Sequence, residues 1–218
     1  MLTVVIPVLN AAASLGGCLA SLDHADEIVV VDGGSTDDSV GIADRSGVRI
    51  IAAPRGRGTQ LAAGGQAARG DWLLFLHADT RLDTGWPNAV AAHLATTPHC
   101  AGYFDFRLDD AAWQARVIEF GVAIRAPMLG LPYGDQGLLI SRRLYDELGG
   151  YRPLALMEDV DFVRRLGRRR LRRLPATALT SADRWRRDGW FRRSGRNLAC
   201  LALYTAGVAP TQLARFYR

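Results

Sequence analysis

Two strongly apolar segments of this chain each end on an aspartate. Asp32 closes the run EIVVVD at residues 27–32, and Asp79 closes the run WLLFLHAD at residues 72–79. Segments this rich in Val, Ile, Leu and Phe are typical of strands that are buried on both faces, as in a parallel sheet covered by helices. Ligands bind beyond the carboxyl ends of such strands, so both carboxylates should face one crevice.

Strand and helix patterns alternate along the chain. We predict strands over residues 2–6, 28–31, 48–52, 72–76, 101–108 and 138–141. We predict helices over residues 14–22, 60–68, 86–95, 111–124, 157–166 and 189–207, with one more helix capped by Ser35. The β-α-β-α order of the first half implies right-handed crossovers and a mostly parallel central sheet, in a three-layer α/β/α fold. No long linker divides residues 1–218, so we predict a single domain.

The positive charge of the chain comes from arginine alone. Its 27 Lys+Arg include no lysine, and they exceed the 22 Asp+Glu to give a formal net charge of +5. Thirteen of the arginines lie between Arg164 and Arg196, where the only acids are Asp183 and Asp188. This arginine cluster could hold anionic lipid headgroups, diphosphate or nucleic acid, or it could be a solvated helix face.

Cysteine usage and apolar run lengths indicate the cellular location. Cys18, Cys100 and Cys200 are scattered, with no C-x-x-C pair, which argues against a disulfide framework or a zinc knuckle. The sequence begins with a strand pattern and not with a signal peptide. The longest apolar run, residues 198–209, is shorter than the roughly 20 residues that span a bilayer. We therefore expect a cytoplasmic protein, or one peripheral at the inner face of the plasma membrane.

Short motifs occur in a characteristic order along the chain. They are VVIPVLN at residues 4–10, VVDGGSTD at 30–37, HAD at 77–79, GGY at 149–151, ED at 158–159, GVAP at 207–210 and LARFY at 213–217. Together they resemble the family 2 glycosyltransferases of the GT-A fold, and especially a small bacterial single-domain subgroup. The resemblance implies an inverting, metal-dependent enzyme that moves a sugar from a nucleotide-sugar donor to an acceptor hydroxyl. It also implies a nucleotide-binding half at residues 1–100 and an acceptor half with a basic C-terminal helix at residues 101–218.

Several residues are candidates for binding the donor. Asp32 could accept hydrogen bonds from a base or ribose, or it could cap the turn before Ser35. Pro7 and Asn10 follow the first strand pattern, where open backbone can meet the base, although Asn10 could also be an ordinary cap.

Two further groups of donor candidates lie on glycine-containing turns. Arg55, Arg57 and Gln60 surround glycines at a helix start, a weak signal for phosphate contacts. Asp135 and Gln136 lie between Gly134 and Gly137, where they could touch the donor sugar or the acceptor, or only form a turn.

The resemblance assigns the metal and the catalytic base. Asp79 matches the last acid of the family's D-x-D element, which binds Mn²⁺ or Mg²⁺ on the donor diphosphate. His77 stands where the first acid usually lies, and it could be a ligand or a packing residue. Asp159 matches the general base that deprotonates the acceptor hydroxyl, with Glu158 assisting. Without the resemblance, these acids could equally be favourable charges at a helix N-terminus.

Two departures from the family pattern limit the prediction. Gly33 occupies the position of a second acid that commonly reads uracil, which disfavours a UDP donor and leaves GDP or dTDP sugars open. The segment SADRW at residues 181–185 lacks the glutamine of the Gln-x-x-Arg-Trp element of processive members, so we expect a single addition.

The alternatives are of three kinds. A nucleotidyltransferase also places acids at strand ends, but it would leave Glu158 and Asp159 without a task. A catalytically degenerate nucleotide-binding protein is a second alternative, and an arginine-rich nucleic-acid binder is a third. We expect no nucleic-acid partner. We expect a nucleotide-sugar donor, an acceptor for which a lipid-linked molecule is one candidate, and an anionic membrane surface near the arginine cluster and residues 198–203.

Overall fold

The computed structural model describes residues 1–217. Eight strands form one sheet in the order β3-β2-β1-β4-β7-β6-β8-β5. The strands are β1 (Leu2–Val8), β2 (Glu27–Asp32), β3 (Arg49–Ala52), β4 (Trp72–Phe75), β5 (Thr80–Leu82), β6 (Ala101–Leu108), β7 (Leu138–Ser141) and β8 (Leu171–Thr180).

Ten helices are described within the same residues. They are α1 (Ala12–Ala20), α2 (Ser39–Arg45), α3 (Arg57–Ala67), α4 (Trp86–Thr96), α5 (Trp113–Leu129), α6 (Arg142–Glu147), α7 (Glu158–Leu166), α8 (Asp183–Asp188), α9 (Trp190–Thr205) and α10 (Pro210–Tyr217). Two short 3₁₀ turns cover Gly134–Gln136 and Arg168–Arg170. None of the helices within residues 1–217 is long and apolar enough to cross a membrane.

The first four strands form the parallel part of the sheet. β1 lies between β2 and β4 and is parallel to both. Pro7 lies inside β1 and not beyond it, yet the sheet accommodates its missing N–H. The β1–β4 ladder ends at Val5 and Phe75, with the Leu76 amide donating to the Val5 carbonyl. Alternate residues of a strand bond to the same neighbour, so Pro7 points past the end of that ladder.

The second half makes the sheet mixed. β7 is antiparallel to β4 and to β6, while β6 and β8 run parallel. β4 and β7 thereby join the two halves of the chain in one continuous sheet. The mostly parallel order is thus confined to the first half and to the β6–β8 pair.

Apolar side chains of alternate residues fill both faces of the sheet. On one face Val4 and Ile6 pack with Leu15 of α1 and Trp86 of α4. On the other face Val5 packs with residues of α3, α6 and α7, including Leu61, Tyr145 and Phe162. Two helical layers therefore enclose the sheet, which confirms the three-layer α/β/α arrangement.

Some elements differ from the sequence prediction. Ser35 does not cap a helix, because α2 begins four residues later, at Ser39, and the Ser35 amide donates to the Asp32 carboxylate instead. Five elements were not predicted: β5, β8, α6, α8 and α10. The arginines of β8 concealed it, since Arg172 and Arg173 face solvent while Leu171 and Leu174 are buried.

Candidate active site

A pocket opens beyond the carboxyl end of β4 and brings together residues from both halves of the chain. Six of the predicted site residues line it: Arg57, His77, Asp79, Asp135, Glu158 and Asp159. Residues that the sequence did not single out complete the wall, chiefly Tyr133, Thr180, Arg184, Arg193, Asn197 and Tyr217.

Local structure explains why these side chains converge. His77 and Asp79 follow β4 directly, and the Thr80 amide donates to the His77 carbonyl, which turns the chain back towards β5. Glu158 and Asp159 occupy the first turn of α7. Met157, the residue before that turn, has φ 66°, a left-handed conformation unusual for a residue other than glycine. Such strain occurs at sites where the surrounding structure fixes a functional geometry.

The backbone of Gly134 lies between the imidazole of His77 and the carboxylate of Asp159. The Gly134 amide donates to Asp159 Oδ2 at 3.1 Å, and His77 Nε2 lies 3.9 Å from the same oxygen. A Cβ atom on Gly134 would overlap His77 Nε2 and would lie 2.7 Å from Asp159 Oδ2. Glycine is therefore required here by the close approach of the two side chains.

Burial shifts the pKa of Asp159, Asp135 and His77 in the pocket. Burial and the adjacent Glu158 carboxylate raise the pKa of Asp159 to about 7, although Arg57 opposes the shift. Burial also raises the pKa of Asp135. For His77, burial and the charges of Arg57 and Arg184 hold the pKa well below its usual value, so the imidazole is neutral near pH 7.

Two arginines neutralise part of the acidic charge. Arg57 Nη1 lies 3.3 Å from Glu158 Oε1, and Arg184 Nη2 lies 3.7 Å from Asp79 Oδ2. Arg57 was predicted to bind the donor, whereas Arg184 belonged only to the arginine cluster. Both guanidinium groups border the pocket, so either could contact a phosphate there.

The donor set is chemically suited to a hard or borderline cation. Several buried polar atoms in or beside the pocket have no hydrogen-bond partner within residues 1–217, among them His77 Nε2, Asp135 Oδ1 and Asp159 Oδ1. Residues 1–217 contain no group of three His, Cys, Asp or Glu side chains arranged to hold a metal unaided. A neutral imidazole with one or two carboxylates is compatible with an ion whose remaining ligands come from phosphate and water.

Three predicted donor residues lie outside the pocket wall, near the ends of β1 and β2. Asp32 accepts hydrogen bonds from the amides of Gly34 and Ser35 at 3.0–3.2 Å, as in the turn-capping alternative. Asn10 accepts from the Thr36 amide at 2.8 Å and ties the two strand ends together. Pro7 is the second-last residue of β1, before Val8, and does not line the pocket.

The other three predicted donor residues also lie outside it. Arg55 is exposed in the turn before α3. The buried Gln60 amide donates to the carbonyls of Val8 and Val31 at 2.7 and 2.8 Å, so it joins β1 to β2. The buried Gln136 donates to the Phe104 carbonyl at 3.1 Å.

Gln60 also explains one departure from the family pattern. A Cβ atom at Gly33 would lie 2.9–3.2 Å from the amide group of Gln60. The Gln60 side chain thus occupies the space beside the backbone where a second acid would begin.

The residues that the sequence did not single out come mainly from the C-terminal helices. Arg193 and Asn197 lie one turn apart on α9, and the Tyr217 hydroxyl donates to Asn197 Oδ1 at 3.0 Å. Arg193 is buried and pairs with Asp188 at 2.7 Å. The arginine cluster was the available signal, but it did not distinguish this buried arginine from exposed ones.

Comparisons with known proteins identify the family of this chain. The family model described as Glycosyl transferase family 2 matches residues 3–156. An uncharacterized glycosyltransferase of Mycobacterium tuberculosis is 38% identical over 91 residues, which are 41% of this chain and 42% of that protein. A PGL/p-HBAD biosynthesis glycosyltransferase of the same species is 40% identical over 93 residues, which are 38% of this chain and 36% of that protein. The match thus spans about two fifths of the length of each relative.

Solved structures share the fold. Glucosyl-3-phosphoglycerate synthase from M. tuberculosis, in complex with Mn²⁺, UDP and glucosyl-3-phosphoglycerate, has a TM-score of 0.58 and 22% identity, over 83% of this chain and 70% of that one. TarS from S. aureus has a TM-score of 0.65 and 15% identity, over 97% of this chain and 41% of that one. The predicted GT-A fold is confirmed. Because the family model covers most of the sequence, the chain belongs to glycosyl transferase family 2.

Proposed function

We propose that this chain is an inverting glycosyltransferase that uses a divalent metal and a nucleotide-sugar donor. The observation that carries the proposal is the convergence of His77, Asp79 and Asp159 on one pocket at the carboxyl edge of the sheet. A charged donor would enter this pocket between Arg57 and Arg184. The solved complex of glucosyl-3-phosphoglycerate synthase with Mn²⁺ and UDP supports the metal and the nucleotide of this proposal, by likeness of fold.

The metal would be held by Asp79 and His77, with its remaining ligands supplied by phosphate and water, while Asp135 would contact the donor or the acceptor from the pocket wall. When bound, Mn²⁺ or Mg²⁺ supplies positive charge that stabilises a diphosphate leaving group. His77 suits this role because its imidazole is neutral and its Nε2 has no protein partner within residues 1–217. Arg184 now pairs with Asp79, and it would be free to contact a phosphate oxygen once the carboxylate binds the ion.

Asp159 is the proposed general base. Its Oδ2 is held by the Gly134 amide, whereas its buried Oδ1 has no hydrogen-bond partner within residues 1–217 and would accept a proton from an acceptor hydroxyl. A pKa of about 7 allows a carboxylate to accept that proton near neutral pH. Glu158 holds Arg57 and raises the proton affinity of Asp159 by its charge. Attack on the face of the sugar opposite the nucleotide would invert the anomeric centre.

Six predicted donor residues outside the pocket wall are proposed to bind the nucleobase or to support its site. Pro7, Asn10 and Asp32 border the ends of β1 and β2, where a nucleobase could stack or bind. Arg55, Gln60 and Gln136 would act by supporting this region. For the acceptor, a lipid-linked hydroxyl is one candidate, and the mycobacterial relative named for PGL/p-HBAD biosynthesis supports it.

A thermal-shift screen tests the proposal. The probes are UDP, GDP, dTDP and CDP with their sugars, each with and without Mn²⁺. One nucleotide should raise the unfolding midpoint only with the metal, because a ligand that binds the native state stabilises it by mass action. Asp79→Ala should abolish the rise, whereas Asp44→Ala, which removes an exposed acid on α2, should keep it.

Two results would contradict the proposal. No shift with any donor, in a folded protein, would favour a chain that no longer binds nucleotide sugars. Release of pyrophosphate from a nucleoside triphosphate would favour a nucleotidyltransferase.

A further inference from the structure

Two neighbouring helices expose apolar side chains where solvent-facing polar ones are expected. On α5 the exposed residues include Trp113, Val117, Phe120 and Ile124, spaced as one helical face, while Glu119 on the same helix is buried. Trp113 is 63% and Phe120 is 68% exposed. A soluble helix normally shows the reverse pattern. This face therefore lacks its partner in the isolated chain.

The exposed surface continues onto α9. Phe191 contacts Trp113, with ring centroids 5.8 Å apart, and Leu198 lies two turns further along the same face of α9. We name this surface the apolar face; its members are Trp113, Val117, Phe120, Ile124, Phe191 and Leu198. Contiguous exposed apolar surface of this kind marks an interaction site.

The exposed charges on α5 and α9, which carry the apolar face, and on the adjoining α10 have one sign. Residues 113–129 contain one acid, the buried Glu119, and residues 190–217 contain none. Arg192 on α9 and Arg215 on α10 are exposed, and neither forms an ion pair within residues 1–217. An anionic surface complements this arrangement, whereas two copies of the chain would bring like charges together without any acid between them.

The arginine cluster itself is not this surface. Its members are distributed over α7, β8, α8 and α9, and many bind acids of the same chain. Arg173 pairs with Asp105, Arg186 with Asp110, and Arg193 and Arg196 with Asp188. The sequence analysis placed the candidate membrane surface near the arginine cluster and residues 198–203, whereas most of the exposed apolar side chains lie on α5.

We propose that the apolar face lies on an anionic lipid bilayer, with its aromatic and aliphatic side chains in the headgroup region. Amphipathic helices with cationic borders bind such interfaces through apolar burial and charge together. The inference goes beyond the proposed function, since it concerns a surface outside the pocket. The two are joined by α9, whose Arg193 and Asn197 line the pocket while Phe191 and Leu198 face outward.

Cosedimentation of the full chain with lipid vesicles tests the inference. The vesicles are phosphatidylglycerol with phosphatidylcholine in equal parts, or phosphatidylcholine alone. The wild type should prefer the anionic vesicles. Phe120→Glu should lower partitioning at least about tenfold, because an apolar side chain is lost from the interface and a negative charge is added. Val40→Glu, at an exposed apolar residue on α2, is the matched control and should bind as the wild type does.

The charge contribution is tested separately. The double variant Arg192→Gln/Arg215→Gln should weaken binding to anionic vesicles by about fivefold for each arginine and leave binding to neutral vesicles unchanged. The double variant Arg169→Gln/Arg172→Gln, which removes two exposed arginines elsewhere, is the control. Circular dichroism and the unfolding midpoint establish that each variant folds. Phe120→Gln repeats the test of the apolar face without adding a charge.

Two outcomes would overturn the inference. Equal sedimentation of the wild type with both kinds of vesicle would exclude an anionic partner. A wild-type dimer in analytical ultracentrifugation that Phe120→Glu converts to a monomer would assign the apolar face to a second copy of the chain. Nucleotide binding in the thermal-shift screen is a separate readout, so either proposal can fail while the other stands.

Discussion

Asp159, the proposed general base, also makes the folding stability depend on pH. Its pKa is about 7 in the folded chain, against a usual value near 4 for an unfolded aspartate. Between these two values the unfolded state releases its proton while the folded state retains it. Folding stability should therefore fall as the pH rises from about 4 to 7, and remain level above that range.

Replacement of Asp159 should thus raise stability and remove activity. Asp159→Asn should raise the free energy of unfolding by about 2–4 kcal/mol at pH 8 and have almost no effect near pH 4, as measured by urea denaturation without metal. Sugar transfer should fall by about a hundredfold to ten-thousandfold, the usual contribution of a general base. For the wild type, kcat/KM should rise with pH through about 7. A flat pH profile, or an active Asp159→Asn variant, would exclude this aspartate as the base.

Gly134 has no room for a side chain between His77 and Asp159. In Gly134→Ala the added methyl group would press against His77 and Asp159. We expect a loss of about 1–3 kcal/mol in stability, typical of overpacking, and a loss of transfer activity of more than tenfold. Gly16→Ala on the exposed side of α1 is the control, because its methyl would meet only Ile42 at 3.9 Å. If both variants behaved alike, the close approach at Gly134 would have no functional meaning.

At the scale of elements, one arginine of α7 joins this helix to the segment that precedes it. Arg165 donates to Asp161 at 2.9 Å and to the carbonyls of Leu148 and Gly150. It thereby fastens the GGY motif to the helix that begins with Glu158. Tyr151 of that motif stacks on Phe162 of α7, with ring centroids 4.5 Å apart. The motif has a packing role that its sequence did not reveal.

Removal of Arg165 should destabilise the packing of α7 and lower the free energy of unfolding. Arg165→Leu should lower the free energy of unfolding by about 3–5 kcal/mol, because it leaves Asp161 buried with one cation fewer and two carbonyls without a donor. The neighbouring Arg164→Leu should change stability by less than about 1 kcal/mol, since Arg164 is exposed and bonds only to Thr205. Chemical denaturation of both variants measures the difference. Equal stabilities would show that α7 is held by its apolar contacts alone.

The elements that were predicted from sequence are those with uninterrupted patterns. β1, β2 and β4 were visible because burial on both faces requires continuous apolar runs. β8 was missed because its exposed positions carry arginine, and α8 because it has only six residues. In the site, Asp79 and Asp159 follow from motif order, whereas Arg193, Asn197 and Tyr217 depend on how α9 and α10 fold back. No local pattern encodes that tertiary placement.

At the scale of the whole molecule, the three cysteines are enclosed by the fold. Cys18, Cys100 and Cys200 are free thiols, each at most 1% exposed. Burial raises the pKa of Cys18 and of Cys200, so neither forms a thiolate readily. With Ellman's reagent, the native chain should release less than one equivalent of chromophore over minutes, and the denatured chain should release three. Rapid reaction of a native thiol would show that this part of the molecule opens.

Because α9 lies between the apolar face and the pocket, its thickness sets the distance from the apolar face to Asp159. An α-helix with its side chains is about 10–12 Å across. If the apolar face rests on a bilayer, Asp159 is raised above that surface by little more than one helix diameter. The protein would then select acceptors by the distance of their hydroxyl group from the bilayer surface. A hydroxyl at the end of a short polar spacer would reach Asp159. A hydroxyl within the lipid layer, or at the end of a long spacer, would not.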